Sequence, residues 1–120
     1  MPRRRTPVDF QAVKDIGVKL PDVVDSSTAR GSALKVLGRL MACEAIHKSA
    51  EPNTLMVRIS IDDRTQLIAE HPETYYVTEH YRKHPAVLVR LSYISRRSLE
   101  ELLGRSWRFV FEEAGAGKRV

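Results

Sequence analysis

The sequence has little of what stabilises secreted or membrane-spanning proteins. It contains a single cysteine, Cys43, so no disulfide can form within the chain. No apolar run approaches the roughly 18 residues that a membrane-spanning helix needs. The opening residues, MPRRRTP, are basic, but no apolar segment follows them, so we expect no secretory signal. Together these features favour a cytoplasmic protein that does not enter a membrane.

The sequence also lacks the motifs of common catalytic and nucleotide-binding sites. Neither GxxxxGK(S/T) nor GxGxxG occurs, and GAGKR at 115–119 has no helix after it to complete a phosphate-binding loop. No serine or threonine lies in a nucleophile motif. Cys43 lies among apolar residues, where a thiol packs as a small hydrophobic group. We therefore expect a protein that is not an enzyme and uses no cofactor.

Excess charge is absent from the body of the chain, although the net charge is +5 and the pI about 9.7. Five of the 20 basic residues lie at 3–5 and 118–119, so the remaining 15 balance the 15 acidic residues. Basic chain ends attract any polyanion weakly and without sequence preference. The net charge is therefore poor evidence for a shaped nucleic-acid-binding surface.

The length of 120 residues predicts a single domain. We expect the domain at 8–113, a basic disordered tail at 1–7 and a flexible tail at 114–120. Neither an internal repeat nor a linker long enough to separate two domains is present.

The first half of the chain is predicted to be a helix followed by strands. Apolar residues recur at helical spacing over 9–20, with Asp9 placed to cap the helix and Pro21 placed to end it. The strands are an edge strand at 23–28, a hairpin of 33–37 and 39–46 that turns at Gly38, and an alternating strand at 54–61. The polar segment 47–53 is predicted to be a loop.

The second half is predicted to alternate between helices and strands. The segments are a helix at 63–70 capped by Asp62, a strand at 74–78, a loop or single helical turn at 79–85, a strand at 86–94 and a helix of about 15 residues capped by Ser95. This order predicts an α+β fold of two layers, with an antiparallel sheet and helices packed on one face.

Residues 71–91 hold three of the four histidines and three of the four tyrosines. His80 and His84 are four residues apart and would share one face of a helix, where Glu79, Glu73 and His71 could complete a zinc site. Pro85 limits any helix here, and the sequence has no further Cys or His cluster. Surface or hinge histidines are therefore favoured over a metal site.

A basic sheet face is the most coherent candidate site. If helices cover one face, Arg58 and Arg90 point to the open face, and we expect Lys35 beside them. Neighbouring turns and the 78–84 segment would extend this patch through Arg39, Arg82 and Lys83, while His80 and Tyr81 could stack on bases or bond phosphate. The alternative is an ordinary solvated face, on which arginine stems pack against their neighbours.

The run HPETYYVTEHYRKHPAVLVRL at 71–91, continued by ELLGRSWR at 101–108, resembles the MmcQ/YjbR-like family of small bacterial proteins. GSALKVLGRLMA at 31–42 and KLPDV at 19–23 resemble that family's first hairpin and opening. The chain departs from the pattern at Arg30, because an aromatic residue usually precedes the glycine that matches Gly31. The loop at 47–53 is also longer and more polar than usual.

The resemblance implies a two-layer α+β fold similar to that of secretion-chaperone-like proteins. It also implies DNA binding, a property that the family carries largely by structural inference. It brings no catalytic residues. Thr78, His80 and Tyr81 match the family pattern and therefore join the candidate site.

Two functions follow as expectations. The first is a non-catalytic DNA-binding protein whose contacts are predicted at Lys35, Arg39, Arg58, Thr78, His80, Tyr81, Arg82 and Arg90. The second is a protein-interaction module, with a protein partner or as a homodimer, that binds no nucleic acid. It is motivated by the balanced charge of residues 6–117 and by apolar side chains expected on the second sheet face, Leu40, Ala42 and Leu88.

Overall fold

The computed structural model describes residues 8–115 of the chain. Within them the fold is α+β, with a six-stranded antiparallel sheet and four helices. In chain order the elements are α1 (Phe10–Gly17), β1 (Val23–Asp25), β2 (Ala33–Val36), β3 (Arg39–Glu44), β4 (Thr54–Arg58), α2 (Ile61–Glu70), β5 (Tyr75–Tyr76), α3 (Glu79–Arg82), β6 (Ala86–Arg90) and α4 (Arg96–Glu113). The predicted tail at 1–7 lies outside the described residues, and so do residues 116–120 of the predicted tail at 114–120.

The strands lie in the order β1-β2-β3-β4-β6-β5, which confirms β1 as an edge strand. Directly opposite residues share a face of the sheet. The first face carries the row Leu34, Ala42, Val57 and Val87, and the second face carries the row Ala33, Cys43, Met56, Leu88 and Tyr76. Lys35 pairs with Leu40 and also belongs to the second face.

The main core lies between the first face and the helices α1, α2 and α4. Val57 and Val87 of the sheet and Leu103 of α4 are fully buried. Trp107 extends this packing at the surface, because its indole Nε1–H donates to the carbonyl of Pro21 at 2.7 Å. The apolar residues of α4 recur at helical spacing and therefore belong to the core, as that spacing predicts: Leu99, Leu102, Leu103 and Val110, with Trp107 packed against them.

A smaller apolar cluster occupies the second face. Met56, Ala86 and Leu88 are buried there, and the ring of Tyr81 packs on them from α3. The short α3 therefore lies against the face that the sequence predicted to be open, while the three longer helices cover the other. Ala42 is not on this face as predicted: a register shift in the β2–β3 pairing breaks the alternation, and Met41 and Ala42 both enter the main core.

Two helix boundaries differ from the predictions. Helix α1 begins after Asp9, whose carboxylate accepts from Ala12 N–H as expected, but it ends at Gly17 rather than near Leu20. Helix α2 is capped by Ser60, not Asp62: the Ser60 hydroxyl accepts from Asp63 N–H at 3.1 Å. The acidic side chains of its first turn instead offset the helix dipole.

Strands β4 and β6 are shorter than their alternating patterns predicted. Ile61 begins α2 and is 49% exposed, so it is not part of the buried row. Tyr93 is 62% exposed, because the chain turns after Arg90 and Tyr93 N–H donates to the Arg90 carbonyl. Ser95 caps α4 as predicted, accepting from Ser98 N–H at 3.1 Å.

None of the helices between residues 8 and 115 has the length and apolar character needed to cross a membrane.

Candidate nucleic-acid interface

A half-open cleft of about 310 Å³ lies on the second face. Its floor is formed by β3, β4 and β6, and its side by α3 and the turn that follows. The lining is mainly apolar, with a guanidinium and two imidazoles at its border: Leu40, Met56, Arg58, His80, Tyr81, His84, Pro85 and Ala86. We call this the second-face cleft.

Helix α3 is held in place by the loop 47–53. The hydroxyls of Thr78 and Ser49 are hydrogen-bonded at 2.8 Å. The phenol oxygen of Tyr81 accepts from His47 N–H at 3.3 Å. The polar segment that separates two strands in the sequence therefore supports the side of the cleft.

The rings of His47 and His80 stack face to face beside the cleft. Their centroids are 3.5 Å apart and their planes differ by 4°. The Ser49 N–H donates to Nδ1 of His47 at 3.0 Å, so this nitrogen is an acceptor and carries no proton. Partial burial, followed by the charges of His80 and Lys48, lowers the pKa of His47. The geometry therefore favours a neutral imidazole at position 47.

A buried arginine fixes the turn between α3 and β6. Arg64 of α2 donates through Nη1 to the carbonyls of Arg82, His84 and Ala86 at 3.3, 2.9 and 3.2 Å. Its side chain is buried, and burial, followed by the charge of Arg82, lowers the pKa of this guanidinium. Sequence reasoning missed Arg64. Its position relative to Leu67 and Ile68, at i, i+3 and i+4, places it on the inward side of α2 and could have revealed it.

Arg58 lines the cleft, but its charge is already paired. Its Nη1 and Nη2 donate to the Glu113 carboxylate at 2.9 and 2.7 Å, and the guanidinium lies 5.5 Å from the ring centre of Phe109. Arg39 contacts the same carboxylate at 3.5 Å. The bonds from Arg58, then the charge of Arg39, lower the pKa of Glu113.

Arg90 is held even more completely. Its Nε and Nη2 donate to Glu51 at 2.9 and 2.8 Å, and its Nη1 donates to the carbonyls of Pro72 and Glu73. The guanidinium also lies 4.3 Å from the ring centre of Tyr76. The hydrogen bond to Arg90 lowers the pKa of Glu51, and the same bond raises the pKa of Arg90.

The predicted contact residues therefore divide into two groups. Arg58, His80 and Tyr81 line the cleft. Thr78 immediately precedes α3 and Arg82 ends it, and Lys35 lies on the strand beside Leu40. Arg90 is separate, because it pairs with Thr54 at one end of β4 whereas Arg58 lies at the other. Four residues along a strand correspond to about 13 Å. Whether any of them contacts nucleic acid stays a prediction.

The remaining candidate chemistry is sparse. Within residues 8–115, no group of three or more His, Cys, Asp or Glu side chains is placed to hold a metal ion. Cys43 is half-buried on the second face, and burial, followed by the charge of Glu44, raises the pKa of its thiol. A thiol in this setting is a weak nucleophile at neutral pH.

Comparison with known proteins identifies relatives that are named as uncharacterised proteins. No protein-family model matches the chain. Uncharacterised proteins of Mycobacterium tuberculosis and Mycobacterium bovis are 40% identical to it over 62 residues, which cover 49% of this chain and 48% of each relative. The chain thus spans about half the length of the curated relatives it matches.

A solved structure supports the fold over nearly the whole chain. The crystal structure of Deinococcus radiodurans protein DR2400, a DUF419 domain, superimposes with a TM-score of 0.70. The match covers 92% of this chain and 85% of the other, at 22% sequence identity. DUF419 is the YjbR/MmcQ-like domain, so the structural neighbour belongs to the family that the sequence resembles. At 22% sequence identity this likeness is evidence for a shared fold and not for a shared function.

Proposed function

We propose that this chain is a non-catalytic DNA-binding protein of the MmcQ/YjbR-like family, which contacts phosphates through the second face and the 78–84 segment. One observation carries the proposal: cationic side chains with weak or no carboxylate pairing lie next to residues that line the second-face cleft. Lys35 and Lys83 form no ion pair within residues 8–115, and Arg82 contacts Glu79 only at 3.9 Å. Such groups can release counterions from a phosphate backbone.

The pairing of the arginines refines which residues would bind. Arg90 uses Nε, Nη1 and Nη2 within the protein, so its main role in this proposal is to hold Glu51 and the chain after α2. Arg58 keeps donors beyond the two that bond Glu113 and can still meet a ligand at the cleft. The primary phosphate contacts are then Lys35, Arg82 and Lys83.

The test is fluorescence anisotropy with labelled DNA at several salt concentrations. A variant with Gln at residues 3–5 and 118–119 removes the unspecific attraction of the chain ends. In this background we expect binding at low salt, and Lys35→Ala or Lys83→Ala should each lower the slope of log K against log salt by about 1.

The matched control is Arg97→Ala, an exposed position on α4, which packs on the opposite face. It should leave the slope unchanged. The proposal fails if the variant with neutral ends does not bind DNA at low salt, or if Arg97→Ala weakens binding as much as Lys35→Ala.

A second candidate is a protein-interaction module, favoured by the exposed edge of the sheet. Among residues 8–115, strand β1 pairs with β2 alone, and its Val24 is 60% exposed. An unpaired strand edge can pair with a strand of another chain or of a second copy. Light scattering over a range of concentrations tests the homodimer, and Val24→Lys should shift any dimer to monomer.

A further inference from the structure

We infer that the second-face cleft accepts an unstacked nucleobase, so that the preferred ligand is single-stranded nucleic acid rather than duplex. This inference rests on the proposed function and specifies its ligand class. It follows from three properties of the cleft: its size and apolar lining, the flat rings at its border, and the placement of charge around it.

The size and lining of the cleft suit a flat, largely apolar group. Its volume of about 310 Å³ is at the lower end of the range for small-molecule sites. Leu40, Met56, Pro85 and Ala86 give it apolar walls. A duplex keeps its bases inside the stack, whereas a single strand can place a base in such a cleft.

The border of the cleft offers rings on which a base can stack. His80 and His84 are both exposed and line the cleft. His80 is fixed by its stack on His47 and by an edge contact with Tyr81 at 4.8 Å between ring centres. A ring that is already immobilised loses little conformational entropy when a base stacks on it.

The charges around the cleft suit an anion on either side of an apolar group. Lys35 lies beside Leu40 on one side, and Arg82 and Lys83 lie between Tyr81 and His84 in the chain on the other. A nucleotide strand combines a flat base with flanking phosphates and so complements this arrangement. An acidic peptide with one aromatic residue shares part of this chemistry and is the rival that the experiment must separate.

The experiment uses the full chain with neutralised ends and three labelled probes of equal length. They are a thymidine oligonucleotide, the same oligonucleotide with abasic positions, and a duplex. Stacking of one base is worth about 1–3 kcal/mol, so we expect the single strand to bind about 5- to 100-fold more tightly than the abasic strand. It should also bind more tightly than the duplex.

His80→Ala and His84→Ala are suitable variants because both side chains are exposed and their loss leaves the core intact. Each should weaken binding of the thymidine oligonucleotide about fivefold or more and leave binding of the abasic strand unchanged. The matched control is His71→Ala, an exposed imidazole that lines other cavities, at the end of α2. It should bind all probes like the parent protein.

The outcomes separate this inference from the proposed function. Equal binding of abasic and normal strands, or tighter binding of duplex, overturns the base-accepting cleft and leaves DNA binding standing. Absence of binding to all three probes at low salt overturns both. Tighter binding of an acidic peptide with one tryptophan than of any oligonucleotide would assign the cleft to a protein partner instead.

Discussion

At the scale of single residues, Arg64 holds the turn between α3 and β6 beside the cleft. One nitrogen of its guanidinium donates to the carbonyls of Arg82, His84 and Ala86, and its side chain is buried. A charged donor satisfies carbonyls that would otherwise lose their contact with water. The conformation of the turn, and with it the positions of His84 and Pro85, therefore depends on this residue.

We predict that Arg64→Met lowers the free energy of unfolding by about 2–4 kcal/mol, because the carbonyls lose their donor while the apolar stem is kept. Urea denaturation measures this value. Arg97→Met is the control, since Arg97 is exposed, and its effect should stay within about 0.5 kcal/mol. Similar losses for both variants would contradict the structural role assigned to Arg64.

The stacked imidazoles give a prediction about pH at the same scale. The pKa of His47 is lowered from its ordinary value of 6.5, so its neutral form is favoured in the folded state. The stability contributed by the stack is therefore present above that value and is lost as the pH falls through the lowered pKa. NMR titration of the ring protons should find His47 titrating below 6.5.

In the His80→Ala variant the pKa of His47 should move back toward 6.5, because one neighbouring charge and part of the burial are removed. Lys83→Ala serves as the comparison and should leave it unchanged. A His47 ring that titrates at or above its ordinary value in the parent protein would contradict the neutral stack.

At the scale of elements, α1 approaches the sheet most closely at a glycine. A Cβ atom at Gly17 would meet the methyl groups of Leu34, whose side chain is 1% exposed and packed in the main core. Glycine within a helix usually costs stability relative to alanine. In the folded protein Gly17 has a packing role, because the absence of a side chain allows α1 to lie directly on β2.

We predict that Gly17→Ala lowers the free energy of unfolding by about 1–3 kcal/mol, since overpacking outweighs the gain in helix propensity. Gly104→Ala is the matched control within α4, where no atom outside the adjacent residues and the helix's own backbone lies within 4 Å of the added methyl group. It should raise stability by about 0.5–1 kcal/mol. Thermal and urea unfolding of both variants test the pair, and stabilisation by Gly17→Ala would contradict the close approach.

Element boundaries illustrate which local signals are sufficient. Ser95 and Asp9 cap their helices as predicted. A side-chain oxygen immediately before an apolar helical pattern accepts a hydrogen bond from a free backbone N–H of the first turn. The predicted start of α2 at residue 63 is wrong, because Ser60 and Asp62 are both good caps and Ile61 continues the strand alternation. The choice between them depends on where β4 leaves its neighbour β6, which is a tertiary fact.

At the scale of the whole molecule, two arginine–glutamate pairs tie distant segments together. Arg58 joins the end of β4 to the end of α4 through Glu113, and Arg90 joins β6 to the loop 47–53 through Glu51. The first pair is 55 residues apart in the chain and the second 39. These links use two of the arginines that the sequence assigned to an open basic face.

We predict that these pairs contribute to the pH dependence of stability. The pKa of each glutamate is lower in the folded protein than its ordinary value of 4.5, so the folded state binds fewer protons. The stabilisation is present above that value and is lost as the pH falls through the lowered pKa. The stability difference between the parent and a Glu51→Gln, Glu113→Gln variant should therefore shrink as the pH falls from neutral to below 4.5.

Urea denaturation across this pH range measures the difference. Glu79→Gln is the control, because its carboxylate is 92% exposed and lies 3.9 Å from its nearest cation. It should follow the parent protein at every pH. A constant difference between the parent and the double variant would show that the two pairs do not respond to acid.

The sequence by itself determined the α+β class, the antiparallel strands and the apolar stripe of α4, because these depend on local periodicity and caps. It also identified Lys35, His80 and Tyr81 as residues of interest. Only the tertiary structure decided that α3 folds over the second face, that Glu51 and Glu113 neutralise two arginines, and that Arg64 holds the turn beside the cleft. Those contacts join residues far apart in the chain, and their formation depends on strand order and register, which no local pattern encodes.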